Sequence, residues 1–429
     1  MFLDIILNFS YIDTSNQIYY CLFSMKVDYI ALSVPVFFIL IGIELAYNFY
    51  KKFNYYRLND SISNLSQGIG QQLTGIFMKT ALFFGYKYIF EHWRIFEMPK
   101  SVWVWILLFI GVDFFYYWFH RMSHQVNALW AAHIVHHQSE EYNLTVALRQ
   151  SWFQGWFSWV FYLPLAFVGF DPIMFLTLSS FNTLYQFWIH TRAIKSLGFL
   201  EYILNTPSHH RVHHGSNPKY IDKNHAGTLI IWDRFFGTFQ KEEEDVYYGI
   251  TKPLASWNPV WANLHYWDDL IKTAKRSPKI TDKINVFMKP PGWFPQHLGG
   301  FQHAPEIDKQ NYRKYNPEYQ SKLTGYVLVQ FIIALAAGSI ILFSYTKMER
   351  LSVISGAAFT LCTLTACGAL LDQKSWLVKF EYSRLLLSFL LILMLKLPVG
   401  YQVIFAGMQL ISVIWFFNLK KDNPQPNEN

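Results

Sequence analysis

Long apolar runs separated by short polar breaks dominate the chain. A bilayer core of about 30 Å takes about 20 mostly apolar residues of helix. Runs of that kind lie at 29–50, 67–90, 101–119, 324–345, 351–372, 376–397 and 398–417. The last two nearly abut at Lys396-Leu397-Pro398, which predicts a tight helical hairpin or one broken element. A further apolar stretch, 152–190, is interrupted by Gly169-Phe170-Asp171-Pro172. Proline pushes the residue before it out of the helical region, so this tetrapeptide marks a turn. The stretch reads as two antiparallel spans of about 19 residues each, or as a re-entrant hairpin. The expected fold is an all-α integral membrane protein with about eight to nine transmembrane helices. Residues 1–28 lack the basic start and continuous apolar region of a secretory signal and are expected to lie at the interface.

Composition agrees with a bilayer environment. Apolar residues make up 52% of the 429 and charged residues only 15%, against about 25% charged in ordinary globular proteins. Aromatics at 19% suit anchoring at membrane interfaces. A net charge of +7 raises the question of nucleic acid, but Lys and Arg sit mostly in loops between apolar runs. With no basic-aromatic stripe on one helix, no nucleic-acid partner is expected. The three cysteines, Cys21, Cys362 and Cys367, cannot staple so long a chain and read as small buried apolar residues. Glu242–Asp245 reads as a solvated acidic loop.

Charge also sets an orientation. Lys51, Lys52 and Arg57 follow the first span, 191–323 is rich in Lys and Arg, and Lys420 and Lys421 close the last span. Alternating the spans puts all three on one face, which the positive-inside rule makes cytoplasmic. The membrane is a bacterial inner membrane or the endoplasmic reticulum, since both obey that rule. The chain divides into 1–100, an N-terminal segment with two spans; 101–241, a histidine-bearing unit; 242–323, a cytosolic linker region; and 324–429, C-terminal spans and tail.

Of fifteen histidines, eleven fall between 120 and 225. His120 and His124 are spaced i, i+4 at the end of the third span and share one helix face. His133, His136 and His137 form an i, i+3, i+4 stripe, enough for two neighbouring metals to share a helix; His210, His213 and His214 repeat it. His190 ends the 152–190 stretch, which returns the chain to the starting face and so brings every cluster together. Nine good donors exceed the needs of one metal, so two metals are expected in a histidine-rich helical cap. Structural zinc sites close at four ligands and usually include Cys, and residues 22–361 contain none. Imidazole suits iron as well as zinc, and iron can supply the redox chemistry that activates dioxygen. His209 stands as a neighbour of the ligands or a surface residue, and His225 as a lining residue of the pocket.

These boxes, His120-Arg-x-x-His124, His133-x-x-His136-His137 and His210-x-x-His213-His214, resemble those of the fatty acid hydroxylase/sterol desaturase superfamily of membrane di-iron enzymes. The runs 136–151, 205–214 and 220–239 are similar to its ether-lipid branch, alkylglycerol monooxygenase and its bacterial relatives. The resemblance makes 101–241 a hydroxylase-type di-iron domain on the cytosolic face. It implies His120, His124, His133, His136, His137, His190, His210, His213 and His214 as ligands of two iron ions. Gln186 stands where other hydroxylases carry a further His, as it does in the ether-lipid branch; it could ligate weakly, hold a water ligand or leave a coordination site open. His225 stands where relatives often have Tyr. Asn143 and Glu140 are candidates for pocket contacts or for orienting imidazole N–H groups; Asp233 and Arg234, for holding their loop against the histidines.

The resemblance also implies the reaction. Dioxygen and a tetrahydropterin reductant hydroxylate the carbon next to the ether oxygen of an alkylglycerol lipid, and the product collapses to a fatty aldehyde. The alternative is a sterol or fatty-acyl lipid hydroxylase or desaturase served by a separate electron donor. No Gly-rich phosphate loop is present, so reducing equivalents come from an external pterin-recycling or electron-donor protein. The lipid is expected to reach the site sideways between 101–119 and 152–190. Lipid packing or homodimerisation is the expectation for the C-terminal spans, where Glu381 and Arg384 interrupt the apolar run.

Overall fold

The first helices follow directly from the apolar runs. α1 (Tyr29–Tyr50) carries one acidic residue, Glu44, in 22 residues. α2 (Leu58–Trp93) has 36 residues, about 54 Å at 1.5 Å per residue, so it outruns a bilayer core. α3 (Val102–Gln125) starts at Ser101, whose side chain accepts from the Val104 N–H. The computed structural model describes residues 29–305, 312–317, 321–394 and 399–421. The expected interfacial segment with Cys21, the break at Lys396-Leu397-Pro398 and the polar tail from Asp422 lie outside the described residues.

Among the described residues, five helices are long and apolar enough to cross a membrane: Tyr29–Tyr50, Val102–Gln125, Lys322–Lys347, Arg350–Leu371 and Gln402–Leu419. The runs expected at 67–90 and 376–397 are also helical, within α2 and α15 (Leu377–Met394). Each carries polar residues in mid-helix: Gln71 and Gln72 in α2, Glu381 and Arg384 in α15.

The 152–190 stretch forms α7 (Gln154–Val168) and α8 (Pro172–Trp188), of 15 and 17 residues. At about 22 and 26 Å both are shorter than a bilayer core, while their turn lies against the α2–α3 connection, the Ile95 N–H donating to the Phe167 carbonyl at 2.7 Å. Gly169 sits at φ 109°, where a Cβ would lie 2.0 Å from the Phe96 carbonyl oxygen. Asp171 caps α8 by accepting from the Ile173 and Met174 N–H groups, and Pro172 takes the first turn, where no N–H is needed. The hairpin packs on α2 and α3 through Leu108, Val112, Leu165, Ala166, Phe170 and Met174. The seam is filled at the turn end of the hairpin, while Tyr116 of α3 and Thr183, Gln186 and Phe187 of α8 line a cavity nearer the histidines.

Short helices build the cap: α4 (Asn127–Ala131), α5 (Ile134–His137), α6 (Leu144–Ala147), α9 (Pro207–His213) and α10 (Ile231–Phe235), followed by α11 (Pro259–Lys275) and α12 (Ile280–Met288). Among the described residues there is no β-strand, only isolated bridges such as Leu204 with Leu229. The acidic run is not simply solvated. Glu242 makes a two-pronged ion pair with Arg211, from Nε and Nη2 at 2.7 Å each.

The C-terminal bundle comprises α13 (Ser321–Ser344), α14 (Arg350–Leu371), α15 and α16 (Val399–Lys421). Its core of Val327, Phe331, Leu364, Leu370 and Phe416 extends to Ile62 of α2 and Trp257 of the cap. Cys367 is buried there as expected; Cys362 is exposed.

Candidate metal centre

Local structure divides the second and third histidine boxes. His133 precedes α5, while His136 and His137 lie in its single turn; His210 and His213 lie in α9, and His214 ends it. Residues four apart stack on one helix face, and the residue three apart is turned to the side of it. The donors therefore fall into two groups: His120, His124, His133, His137 and His213 in one; His136, His190, His210 and His214 in the other. Within each group one ring nitrogen per residue lies within 4.8 Å of all the others. Boxes two and three contribute to both groups, so the groups abut.

Hydrogen bonds fix the tautomers. The Nδ1–H of His120 donates to the His225 carbonyl at 2.8 Å, that of His136 to the Arg149 carbonyl at 2.9 Å, and that of His190 to the Gln186 carbonyl at 2.7 Å. His213 Nδ1 donates to the Lys223 carbonyl and His133 Nδ1 to Gln154 Oε1, both at 2.9 Å. With Nδ1 protonated, Nε2 carries only a lone pair. Yet His120 and His133 face each other Nε2 to Nε2 at 3.1 Å, and His136 and His190 at 3.2 Å. Lone pairs aimed at each other across 3 Å repel unless a cation lies between or beside them. His124 Nε2 and His213 Nε2 are buried without a partner, again donors awaiting an acceptor of electron pairs. Burial favours the neutral imidazole at His133, whose pKa it pushes down to about 3, and at His190, pushed down to about 4. The donor set thus fits two imidazole-bound metal ions.

The other expected residues divide. His225 is fully buried, its ring centroid 5.0 Å from that of His124, and its Nδ1 lacks a partner; it flanks the five-histidine group. His209 is buried outside both groups, its ring 5.4 Å from Phe239. Gln186 gives its carbonyl to His190 and its amide N–H to Asn182 Oδ1 at 2.7 Å. Asn143 differs from expectation: it caps α6, accepting from the Thr145 N–H, and donates to the Tyr55 carbonyl, away from the imidazoles. Glu140 likewise turns away, accepting from the Tyr315 N–H and lying 3.5 Å from Arg57. Asp233 holds its loop, accepting from the N–H groups of His225 and Ala226; Arg234 stacks over Phe239 at 3.8 Å.

Several positioning residues were not singled out from the sequence. Asp113, buried in α3, accepts from the Thr228 and Leu229 N–H groups, from Trp232 Nε1 and from Asn182 Nδ2. It ties the loop that carries the His225 carbonyl to the span that carries His120. Its signal was visible, since a lone carboxylate within a span is costly without partners. Arg149, inside α6's exit, donates to the Val135 carbonyl and to Gln138 and Ser63.

A cavity of about 260 Å³ opens on one side of the centre. His133, His136 and His190 line it together with Gln150, Gln154 and Gln186, and its remaining walls are chiefly apolar side chains of α1, α2 and α13.

A helical membrane bundle with nine clustered histidines facing an apolar cavity defines a class, the membrane oxidoreductases that act on lipid chains, and the fatty acid hydroxylase family model matches residues 105–238. Alkylglycerol monooxygenases of Xenopus tropicalis, Danio rerio and Homo sapiens are 41%, 42% and 41% identical to the chain. The matches cover 84%, 85% and 85% of this chain and 81%, 82% and 82% of those proteins. The chain belongs to the alkylglycerol monooxygenase family, a family of oxygen-dependent oxidoreductases. No solved structure matches it.

Proposed function

We propose that each histidine group holds one iron ion and that the centre hydroxylates the carbon next to the ether oxygen of an alkylglycerol lipid. The facing Nε2 lone pairs beside an apolar cavity carry this reading, together with the family membership. Bound iron would supply the redox chemistry for splitting dioxygen, with two electrons from a tetrahydropterin. One oxygen atom enters the C–H bond and the other leaves as water. The hydroxylated carbon then loses its bond to the ether oxygen, giving a fatty aldehyde and a free glycerol hydroxyl, to which the hemiacetal proton passes.

The chain's own groups bind and orient. Carbonyls of Gln186, Arg149, His225 and Lys223 aim four imidazoles by holding their Nδ1–H groups. The apolar walls keep water from the alkyl chain, and Gln150, Gln154 and Gln186 offer the amide groups nearest the reacting end. The centre faces the cytoplasm, the side to which charge assigns Lys51, Lys52, Lys420 and Lys421. Pterin recycling falls to an external protein.

The test is aldehyde release from a 1-O-alkylglycerol by the iron-loaded protein in nanodiscs, with dioxygen present and tetrahydropterin added or omitted. Aldehyde should require both and vanish in His136→Ala. A sample carrying two irons per chain that releases none sinks the ether-lipid substrate.

A further inference from the structure

The C-terminal bundle supplies none of the histidines, yet one of its helices reaches the cavity. Leu335, Gly338, Ser339 and Leu342 of α13 all line it. Spacings of three and four residues put them on a single face of the helix. A close crossing brings that face in. Gly338 is buried against α2, where an added Cβ would lie 3.0 Å from Ile69 Cγ2. Without a side chain at 338, α13 approaches α2 closely enough for its neighbours to wall the same space as Ile69 and Leu73.

Depth along the cavity can be read from the helices. Ser256 and the Trp257 N–H in the cap bond Asp372, just past the end of α14. That end of α14 is therefore at the cap, and its start at Arg350 is at the opposite side. Ile341 packs with Val353 and Leu73 near that opposite side. Along α13, Leu335 is thus nearer the histidines and Leu342 lies about 10 Å deeper. On the facing wall, Phe37 of α1 stacks on Phe187, three residues before His190, at 4.2 Å. Ile30 lies about 10 Å deeper again. The cavity runs from the imidazoles at the cap end to Ile30, Leu73 and Leu342 at the other, with Gln71 and Gln72 on the α2 wall beside Leu73.

We propose that α13 is the chain-measuring wall of the lipid site, with Ser339 and Leu342 setting how long an alkyl chain fits when its first carbon lies at the histidine face. This rests on the ether-lipid reading for the occupant's identity. A polar head at the cap and an extended alkyl tail suit the length of the cavity, whereas a sterol sets a rigid ring body between its hydroxyl and its short tail. The stretch beyond the hydroxylase core thereby belongs to the substrate site.

Two measurements test this. A 1-O-alkylglycerol with a diazirine at the chain terminus, photolysed with the iron-loaded wild-type protein in nanodiscs without dioxygen or tetrahydropterin, should label the peptide containing residues 335–342. Labelling confined to α3 or α7 overturns the proposal, and this readout needs no turnover. In the iron-loaded protein, Ser339→Phe and Leu342→Phe should lower kcat/KM for long-chain relative to short-chain alkylglycerols by about tenfold or more, since a few methylenes of lost pocket carry discrimination of that order. An equal fall for all chain lengths, or an unchanged profile, overturns it. Wild-type protein that labels on 335–342 but cleaves no alkylglycerol refutes the reaction and leaves the wall standing.

Discussion

At the scale of single residues, the centre depends on atoms that are not histidine. An imidazole ligates through the nitrogen its other nitrogen leaves free, so the Nδ1–H acceptor decides which lone pair points inward. Four of the five identified acceptors are backbone carbonyls, which no side-chain motif can announce. The fifth, Gln154 Oε1, lies 2.9 Å from His133 Nδ1 at the start of the hairpin. Gln154→Leu removes that acceptor with little change in volume. Iron retention should fall about tenfold to a hundredfold, the usual cost of losing such a partner. Iron per chain after dialysis against graded chelator measures it, and Gln154→Glu, which keeps an acceptor, should retain the metal. Retention in Gln154→Leu equal to wild type would mean that packing alone orients His133.

At the scale of elements, much of the site was legible because helix geometry is regular. The i, i+3, i+4 stripes called for two adjacent metals sharing a helix, and α5 and α9 each divide between the two donor groups as that spacing requires. The even-crossing argument placed His190 beside His136, and the hairpin does return the chain to the side it left, with the two rings 3.2 Å apart Nε2 to Nε2. What spacing could not reveal is the job of a residue whose partner is remote. Asn143 was read by its nearness to the second box, yet its bonds go to its own helix start and to Tyr55. The hairpin turn, by contrast, was readable from Gly-Phe-Asp-Pro. Gly169→Ala demands a side chain at φ 109° and against the Phe96 carbonyl oxygen. It should cost at least about 1–3 kcal/mol, seen as a lower thermal midpoint in detergent, and misplace His190, seen as reduced iron content. A variant as stable as wild type would show that the turn can relax.

At the scale of the whole molecule, the question is how a bundle without histidines holds its place against the catalytic half. Glu381 and Arg384 are buried within it and form an ion pair, Nη2 to Oε1 at 2.6 Å. Arg384 also donates to Thr363 of α14 at 3.1 Å and to Gln330 of α13 at 2.9 Å, while Tyr326 of α13 donates to Glu381. Gln330 in turn donates to Ser412 of α16. One pair on α15 thus joins all four C-terminal helices, and its charges are satisfied, unlike those of an ion pathway. Removing one partner leaves the other charge buried alone, at a cost of about 3–5 kcal/mol, whereas replacing both with apolar residues of similar size is often neutral. Arg384→Met should therefore lower the thermal midpoint sharply and Glu381→Leu/Arg384→Met should restore most of it. The two variants also separate stability from selectivity. Gln330 lies one turn and a half before Leu335, so a loosened α13 should blur the chain-length profile in Arg384→Met even where folded protein is recovered. If both variants keep the wild-type profile, the network fastens the C-terminal helices to one another without setting where α13 meets the lipid.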